Sequence, residues 1–566
     1  MYSNKENVNI LTSLLVAHGV RHAVVCPGSR NSPIVHNLTE CPDIMCYPVT
    51  DERSAGFYAL GMSLCLRDPV AVCVTSGTAL LNLAPAVAEA LYQHASLVVI
   101  SADRPQQWID QLDGQTLLQQ NALGSFVRKS VSLPEPGNDE ERWYCNRLIR
   151  EALLECTSRG GGPVHVNVPI SEPLFQFDVE QLPSVNGTSR WCGIIDYYDI
   201  EEIGLRADFW SARRPLIIIG QNRETVLKDY ELQHLKEHAV ILYEPLGSDL
   251  GTTHFDEVLY AMGDDESLRP DFVLYGGMIV SKRLKQFLRK ATDASFWELS
   301  LDGQLHETFM RTKGVLESDF GPVLLWLNQF LENPALFDDS MDQPLGEVAD
   351  TSDYVRLWKK QLDYVSEVAE RAQLPYSQMA AVKYYEQQLL ASGIPANQFY
   401  ANSTAVRLSC IFSTGYVYCN RGVNGIEGSL STAAGFSLVA ERPVFIVIGD
   451  LSFFYDSNAL WNGQLKGNLR ILLLNNGGGA IFRQLPIGDG RSEALDYVMA
   501  THHTSAEGIC QSYGVEYLCA RNEAEMEEGI QRLLKEESAR PLLLEVFTDA
   551  ATDAQVFQDY YRSLSE

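Results

Sequence analysis

An apolar run, Val444-Phe445-Ile446-Val447-Ile448, ends in Gly449-Asp450-Leu451-Ser452, and 24 residues separate Asp450 from Asn475 in Asn475-Asn476-Gly477-Gly478. The second motif also follows an apolar run, Ile471 to Leu474. In an open parallel sheet the carboxyl ends of strands gather along one edge, so Asp450 and Asn476 can converge there with a helix between them. A hard cation such as Mg²⁺ takes carboxylate and carbonyl oxygens and keeps places for phosphate and water. Asp450 offers charge, Asn476 a neutral amide oxygen and Gly478 a backbone carbonyl. A helix opening after Asp450 would turn its free N–H groups toward a diphosphate. Either motif alone reads as a turn; together, in strand context, they predict a metal and diphosphate site.

Other residues suggest what is bound beside it. Thr75-Ser76-Gly77-Thr78-Ala79 is a strand-to-helix turn of small residues, suited to close backbone approach and equally to ordinary helix capping. Arg30, Arg104, Arg407 and Arg421 recur at predicted strand ends and loops, and Lys282-Arg283 follows the strand Phe272 to Gly276. A surface salt bridge is the ordinary role of any one arginine. A converging group implies a substrate with more than one carboxylate, because each guanidinium fork matches two carboxylate oxygens. The adjacent His502 and His503 read as a polar loop, and the twelve cysteines, with no CxxC, read as reduced and mostly buried.

The elements that must position these residues are short β-branched runs alternating with helical patterns, the signature of parallel sheets covered on both faces. Strands are expected at Ala23–Cys26, Val70–Thr75, Leu97–Ser101 and Val164–Val168, with a helix over Ala79–Tyr92. A second unit carries Leu216–Gly220, Val240–Tyr243 and Phe272–Gly276, and a third Val444–Ile448, Ile471–Leu474 and Leu542–Val546. Breaks at the polar stretch Ser184–Arg190 with the acidic segment to Glu202, and at the acidic Asp338–Asp353, divide the chain into 1–183, 195–340 and 354–566. The expected fold class is α/β, with three doubly wound parallel-sheet domains. Hydrophobic residues at 46% and charged residues at 21% fit a globular chain, and a formal charge of −29 argues against a nucleic-acid partner. No run approaches the length of a membrane span and the start lacks a signal peptide, so a cytoplasmic protein with no membrane partner is expected.

The Asp450 and Asn476 motifs resemble the signature of thiamine diphosphate-dependent enzymes, with Leu451 in place of a usual glycine. The Gly-Asp-Leu-Ser variant is similar to that of the 2-succinyl-5-enolpyruvyl-6-hydroxy-3-cyclohexene-1-carboxylate (SEPHCHC) synthase family of menaquinone biosynthesis. So are Cys26-Pro27-Gly28-Ser29-Arg30-Asn31-Ser32-Pro33, Asp51-Glu52-Arg53-Ser54-Ala55, Thr75 to Ala79, Ser101-Ala102-Asp103-Arg104-Pro105, Asn402-Ser403, and Asn420-Arg421-Gly422 with Gly425-Ile426. The resemblance implies thiamine diphosphate held through Mg²⁺ or Mn²⁺ by Asp450, Asn476 and Gly478. It places the cofactor among Ser76, Gly77, Thr78, Asn402, Gly425, Gly449, Leu451, Ser452 and Ile481. It gives Glu52 the task of promoting the cofactor's reactive tautomer, helped by burial, and Ile426 the task of wedging the cofactor into its bent shape. The substrates it implies are 2-oxoglutarate, which loses CO₂, and isochorismate, which receives the succinyl carbanion equivalent by conjugate addition. Ser29, Arg30, Arg104, Gln115, Lys282, Arg283, Ser403, Arg407 and Arg421 would handle their carboxylates, with Ile481, Phe482 and Leu485 as apolar walls. Glu52 and Asp450 fall in different terminal domains, so the resemblance also implies a homodimer, or a homotetramer, with sites between subunits.

Three rivals differ in what they require. An acetolactate synthase-like ligase or a simple decarboxylase takes smaller monocarboxylates and would not need so many arginines. A purely structural or regulatory paralogue has no use for Glu52, Asp450 and Asn476 together. A nicotinamide dehydrogenase would show Gly-x-Gly-x-x-Gly between a strand and a helix, which is absent here.

Overall fold

The computed structural model describes residues 1–189, 204–222, 229–333, 347–479, 497–535 and 537–565. It contains three parallel sheets. The first comprises β1 (His22–Val25), β2 (Met45–Pro48), β3 (Val70–Val74), β4 (Leu97–Asp103), β5 (Lys129–Ser132) and β6 (Val164–Pro169), in the order β2-β1-β3-β4-β6-β5. The second comprises β7 (Pro215–Ile219), β8 (Val240–Tyr243), β9 (Phe272–Gly276), β10 (Ser295–Ser300) and β11 (Thr312–Glu317), in the order β11-β10-β9-β7-β8. The third comprises β12 (Asn397–Tyr400), β13 (Val417–Tyr418), β14 (Val444–Gly449), β15 (Leu469–Asn475), β16 (Glu516–Ala520) and β17 (Leu542–Phe547), in the order β13-β12-β14-β15-β17-β16. Counted within its own sheet, the third repeats the order of the first strand for strand. The expected α/β class with three parallel sheets is what the chain forms.

The central strands are buried on both faces because both faces are covered, as parallel sheets require. Val70, Val72 and Val74 point into a core shared with Ile446, Ile448, Ile471 and Leu473 of the third sheet. Ala71 and Cys73 point instead to the opposite layer with Val98 and Ile100. A further core joins Val273 and Tyr275 of the second sheet to Phe445, Val447 and Leu472 of the third. The third sheet is therefore packed on both sides against the rest of the chain.

Two helices, Glu52–Leu66 after β2 and Ser429–Val439 following β13, occupy equivalent stations and cross each other. Their backbones nearly touch: a Cβ on Gly61 would lie 1.9 Å from the Thr432 carbonyl oxygen, and one on Gly435 2.3 Å from that of Tyr58. Only glycine permits this approach. The expected helix over Ala79–Tyr92 is two helices, Thr78–Asn82 and Ala84–Tyr92. Pro85 starts the second, where its missing N–H costs nothing, and would break a continuous ladder. Among the described residues every cysteine is a free thiol and no helix is long and apolar enough to cross a membrane.

Candidate functional site

The predicted convergence of Asp450 and Asn476 is present. β14 and β15 are neighbours, so Gly449 and Asn475 end side by side, and Asp450 opens the helix Asp450–Tyr455. Asp450 Oδ2 accepts the backbone N–H groups of Asn476 at 3.2 Å, Gly477 at 2.9 Å and Gly478 at 3.0 Å, and Oδ1 accepts that of Leu451 at 2.7 Å. Gly477 and Gly478 have φ of 79° and 147°, which lets three successive amides turn toward one oxygen. Burial raises the Asp450 carboxyl pKa, while these N–H bonds and His502 oppose the rise.

The Asn476 side chain is fixed from behind. Its Nδ2 donates to Asp553 Oδ2 at 2.9 Å, and Asp553 also accepts Thr548 Oγ1 at 2.7 Å and the Gln378 N–H at 2.9 Å. With the amide nitrogen so occupied, the amide oxygen is the atom left to face a cation. Among the described residues no three His, Cys, Asp or Glu side chains are grouped as a metal cage. One carboxylate beside an amide oxygen suits a hard cation that takes its remaining oxygens from a diphosphate and water. On that donor chemistry the residues fit a cofactor-linked Mg²⁺ or Mn²⁺.

Around this turn, Ser452 Oγ donates to the Ile426 carbonyl at 2.5 Å, and Asn402 Nδ2 donates to the carbonyls of Asn420 at 2.5 Å and Gly425 at 2.7 Å. Ile426, 39% exposed, is an apolar side chain left without a core. Arg421 Nη1 donates to Asn402 Oδ1 at 3.2 Å. Burial and the charge of nearby Arg421 depress the Arg407 guanidinium pKa. Among the described residues neither arginine has a carboxylate at salt-bridge distance, while Asp256 lies within electrostatic reach of Arg407 and Glu244 within reach of Arg421. Ser403, just before the helix Thr404–Phe412, has φ 77° and ψ −123°, strained for any side chain with a Cβ.

The first sheet gathers a second group. Arg30 Nη1 donates to the Ile170 carbonyl at 2.9 Å and its Nη2 pairs with Glu172 Oε1 at 2.9 Å, while Ser29 beside it is exposed. Arg104 Nη2 donates to the Gly114 carbonyl at 3.0 Å. Ser76 Oγ donates to the Gln115 carbonyl at 3.0 Å, and Gln115 Nε2 returns to the Ser76 carbonyl at 3.3 Å. Gly77, at φ 83°, donates its N–H to Gln119 Oε1 at 2.7 Å just before Thr78 opens its helix. Asp103 lies within electrostatic reach of both Arg30 and Arg104. Glu52 begins its helix half-buried, accepting Asn82 Nδ2 at 3.3 Å, so the expected burial is only partial in a single chain.

Lys282 and Arg283 start the helix Lys282–Arg289, whose N-terminus is held by Glu244 through the Val280 and Ser281 N–H groups at 2.7 and 2.8 Å. Lys282 is exposed. Arg283 is ion-paired with Asp256 and lies over the Tyr260 and Tyr561 rings at 4.9 and 4.7 Å, so its charge is already partnered. Ile481, Phe482 and Leu485 lie outside the described residues. A separate cavity of about 310 Å³ opens where β7 and β9 end, lined by Gln221, Met278, Glu298 and His306 and by none of the metal-site residues.

Several supporting residues escaped sequence reasoning. His502 lies in a loop, as expected, and its Nε2 comes within 3.4 Å of Asp450 Oδ2, a proximity that the sequence did not announce. Asp553 and Glu244 carried no local motif. Glu89 did leave a signal: it is the one charged residue in the helix Ala84–Tyr92, yet it is 3% exposed.

Comparison with known proteins agrees with this geometry. The N-terminal TPP-binding domain of thiamine pyrophosphate enzymes matches residues 6–123, and the C-terminal TPP-binding domain matches residues 402–546. A 2-succinyl-5-enolpyruvyl-6-hydroxy-3-cyclohexene-1-carboxylate synthase of Bacteroides fragilis is 46% identical over the whole of both chains. Proteins of the same name from Bacteroides thetaiotaomicron and Phocaeicola vulgatus are 43% and 42% identical, each over the whole of this chain and at least 99% of their own.

Proposed function

From the premise that the chain belongs to the SEPHCHC synthase family of thiamine pyrophosphate enzymes, we propose that it decarboxylates 2-oxoglutarate and joins the four-carbon remainder to isochorismate, releasing CO₂ in menaquinone biosynthesis. The product in the relatives' name dictates both substrates. A 2-succinyl group is what 2-oxoglutarate leaves after losing one carboxylate, and the enolpyruvyl-hydroxycyclohexene carboxylate is the isochorismate ring. The single observation that carries the assignment to this chain is the pair Arg407 and Arg421, near enough to repel each other and, among the described residues, neither in a salt bridge, with Arg421 bonded to Asn402, whose amide also holds the Gly425 carbonyl. A monocarboxylate would leave such a pair underused.

When bound, thiamine diphosphate supplies the carbon nucleophile and the electron sink that loss of CO₂ requires. The chain's own residues do the rest. Asp450, the Asn476 amide oxygen and the Gly478 carbonyl would hold Mg²⁺ or Mn²⁺, and the start of the helix Asp450–Tyr455 would take the diphosphate. Glu52 would hold a proton at its carboxyl for the pyrimidine end. Arg407 and Arg421 would orient one dicarboxylate, while Arg104, Gln115 and Ser76 would line the other half.

Two subunits are needed to assemble such a site. Exposed apolar residues flank both halves on a single chain, with Trp108, Leu112 and Leu118 beside Gln115, and Val423 beside Ile426. Apolar surface of this kind marks a contact with another chain. A homodimer, or a homotetramer built from it, would cover both sets and bring Glu52 of one chain to Asp450 of the next. Free thiols fit action in the reducing cytoplasm. Mass spectrometry of products from 2-oxoglutarate, with and without isochorismate, tests the proposal. SEPHCHC forming only with both substrates is expected, and a preference for pyruvate would overturn it.

A further inference from the structure

A buried carboxylate reaches the loop of Arg421 and Ile426 from another domain. Glu89 lies on the helix Ala84–Tyr92 of the N-terminal domain and is 3% exposed. Its Oε1 accepts the Gly422 N–H at 2.7 Å and its Oε2 the Val423 N–H at 2.7 Å. Gln93 Nε2 donates to Oε1 at 2.6 Å. These donors are two successive backbone amides of the loop and the side-chain amide of Gln93 from Glu89's own helix end, with no cation among them, so the buried carboxylate is held by amide geometry. Burial accordingly raises its pKa.

The contact is tight from the other side as well. A Cβ on Gly422 would meet the Glu89 carbonyl oxygen and the Tyr92 Cβ, both at 2.9 Å, so the loop lies directly on the helix. A second strand of the same connection runs through the central domain, where Gln221 Nε2 reaches the Cys419 carbonyl at 2.9 Å and Gln93 Oε1 at 3.4 Å. Within the loop, Arg421 points its guanidinium at Asn402, and the Ile426 carbonyl is held by Ser452. Asn402 and Ser452 belong to the same domain as the loop; Glu89 does not.

We propose that Glu89 is a positioning residue for the active site: it fixes the backbone of Gly422 and Val423, and thereby sets the direction of Arg421 on one side and of Ile426 on the other. The inference rests on the assignment of Arg421 to substrate and Ile426 to cofactor.

The test uses the full-length enzyme with thiamine diphosphate, Mg²⁺ and both substrates. Glu89→Gln keeps the shape but sets an NH₂ against one backbone donor, Glu89→Asp keeps the charge with a shorter reach, and Gly422→Ala pushes the loop off the helix from its own side. Expected for Glu89→Gln and Gly422→Ala are faster deuterium uptake confined to residues 419–426 and a KM for one dicarboxylate raised roughly tenfold or more. Cofactor affinity should change by less than that, and Glu89→Asp should recover part of the KM. A purely structural role would lower the active fraction, and so kcat, at constant KM; that result overturns the proposal, as does unchanged uptake in 419–426. Arg421→Ala separates the two levels of the argument. If it raises KM while Glu89→Gln does not, the positioning role falls and the site assignment stands; if it leaves both KM values untouched, the site assignment itself falls.

Discussion

Replacing Asp450 is the sharpest test of the metal and diphosphate site, and the structure sets its size. Asp450 is 4% exposed and accepts four backbone N–H groups, three on Oδ2 and one on Oδ1. Alanine strands all four. At about 1 kcal/mol net for each bond the loss is roughly 4 kcal/mol, reduced because the desolvation of a buried carboxylate is also relieved. A fall of about 2 to 4 kcal/mol, concentrated in residues 476–478, is within the roughly 5 to 15 kcal/mol that hold a domain together, so the variant should fold. Asparagine retains one acceptor oxygen and should lose about half as much. Hydrogen exchange would register the alanine change as about 30- to 1000-fold lower protection in the 476–478 turn. Metal-dependent binding of thiamine diphosphate, followed by calorimetry, should fall at least about a hundredfold in both variants, because neither can supply the cation with a negative oxygen. Undiminished metal-dependent affinity in either variant would refute the assignment of this turn.

Four further outcomes are expected. Glu52→Gln should bind cofactor within a few-fold of the parent but turn over about 10²- to 10⁴-fold more slowly, with NMR-detected exchange of the thiazolium proton slowed in step; normal exchange would remove Glu52 from catalysis. Gly61→Ala should cost about 3 kcal/mol or more, because its Cβ would meet a carbonyl oxygen at 1.9 Å, whereas Gly56→Ala meets the Ala86 Cβ at 2.7 Å and should be milder by calorimetry. Ser403→Gly should relieve about 1 to 3 kcal/mol of backbone strain, raising the melting temperature while weakening substrate binding; a lowered melting temperature would contradict the strain argument. Glu386 is fully buried, accepts Tyr400 at 2.5 Å, and is raised by burial from 4.5 to about 7. A raised acid keeps its proton in the native state while the unfolded chain loses it, so its contribution to stability falls as pH rises from about 4.5 to about 7. Glu386→Gln should therefore gain on the parent across that window, by up to about 3 kcal/mol, as read from denaturation at pH 5 and pH 8.

The parts of the fold legible in the sequence were those whose signal is local. β14 and β15 read as strands because both faces are buried and the run is continuously apolar, and their adjacency placed Asp450 against Asn476. The edge strands β2, β5, β13 and β16 are short and half-exposed, so they carry neither a continuous run nor a clean alternation. Arginine positions were legible from strand ends, but their partners were not: nothing near Arg283 in sequence announces Asp256 or Tyr561. The same holds for support of the site. Asp553 is 77 residues from Asn476, and Glu89 is 333 residues from Gly422. Such pairs are fixed by the packing of whole domains, which no local pattern encodes.

The repeated strand order of the first and third sheets allows one folding solution to be put to two unlike uses. After the third strand of its sheet, one copy offers Ser76 and Gly77 and the other Asp450; after the fourth, one offers Arg104 and the other Asn476. After the second, one starts the crossing helix with Glu52 and the other reaches its partner helix through Ile426. An elongated ligand with an organic ring at one end and a charged phosphate group at the other can thus be gripped by two frames of one strand order that present different residues at their strand ends. The middle sheet, with its different order, stands outside that repetition. Its loops supply neither holding point, although Gln221 ties one of them to the Cys419 carbonyl, so exchanging those loops with Gln221 kept should alter the second substrate's surroundings while the cofactor's two holding points keep their geometry.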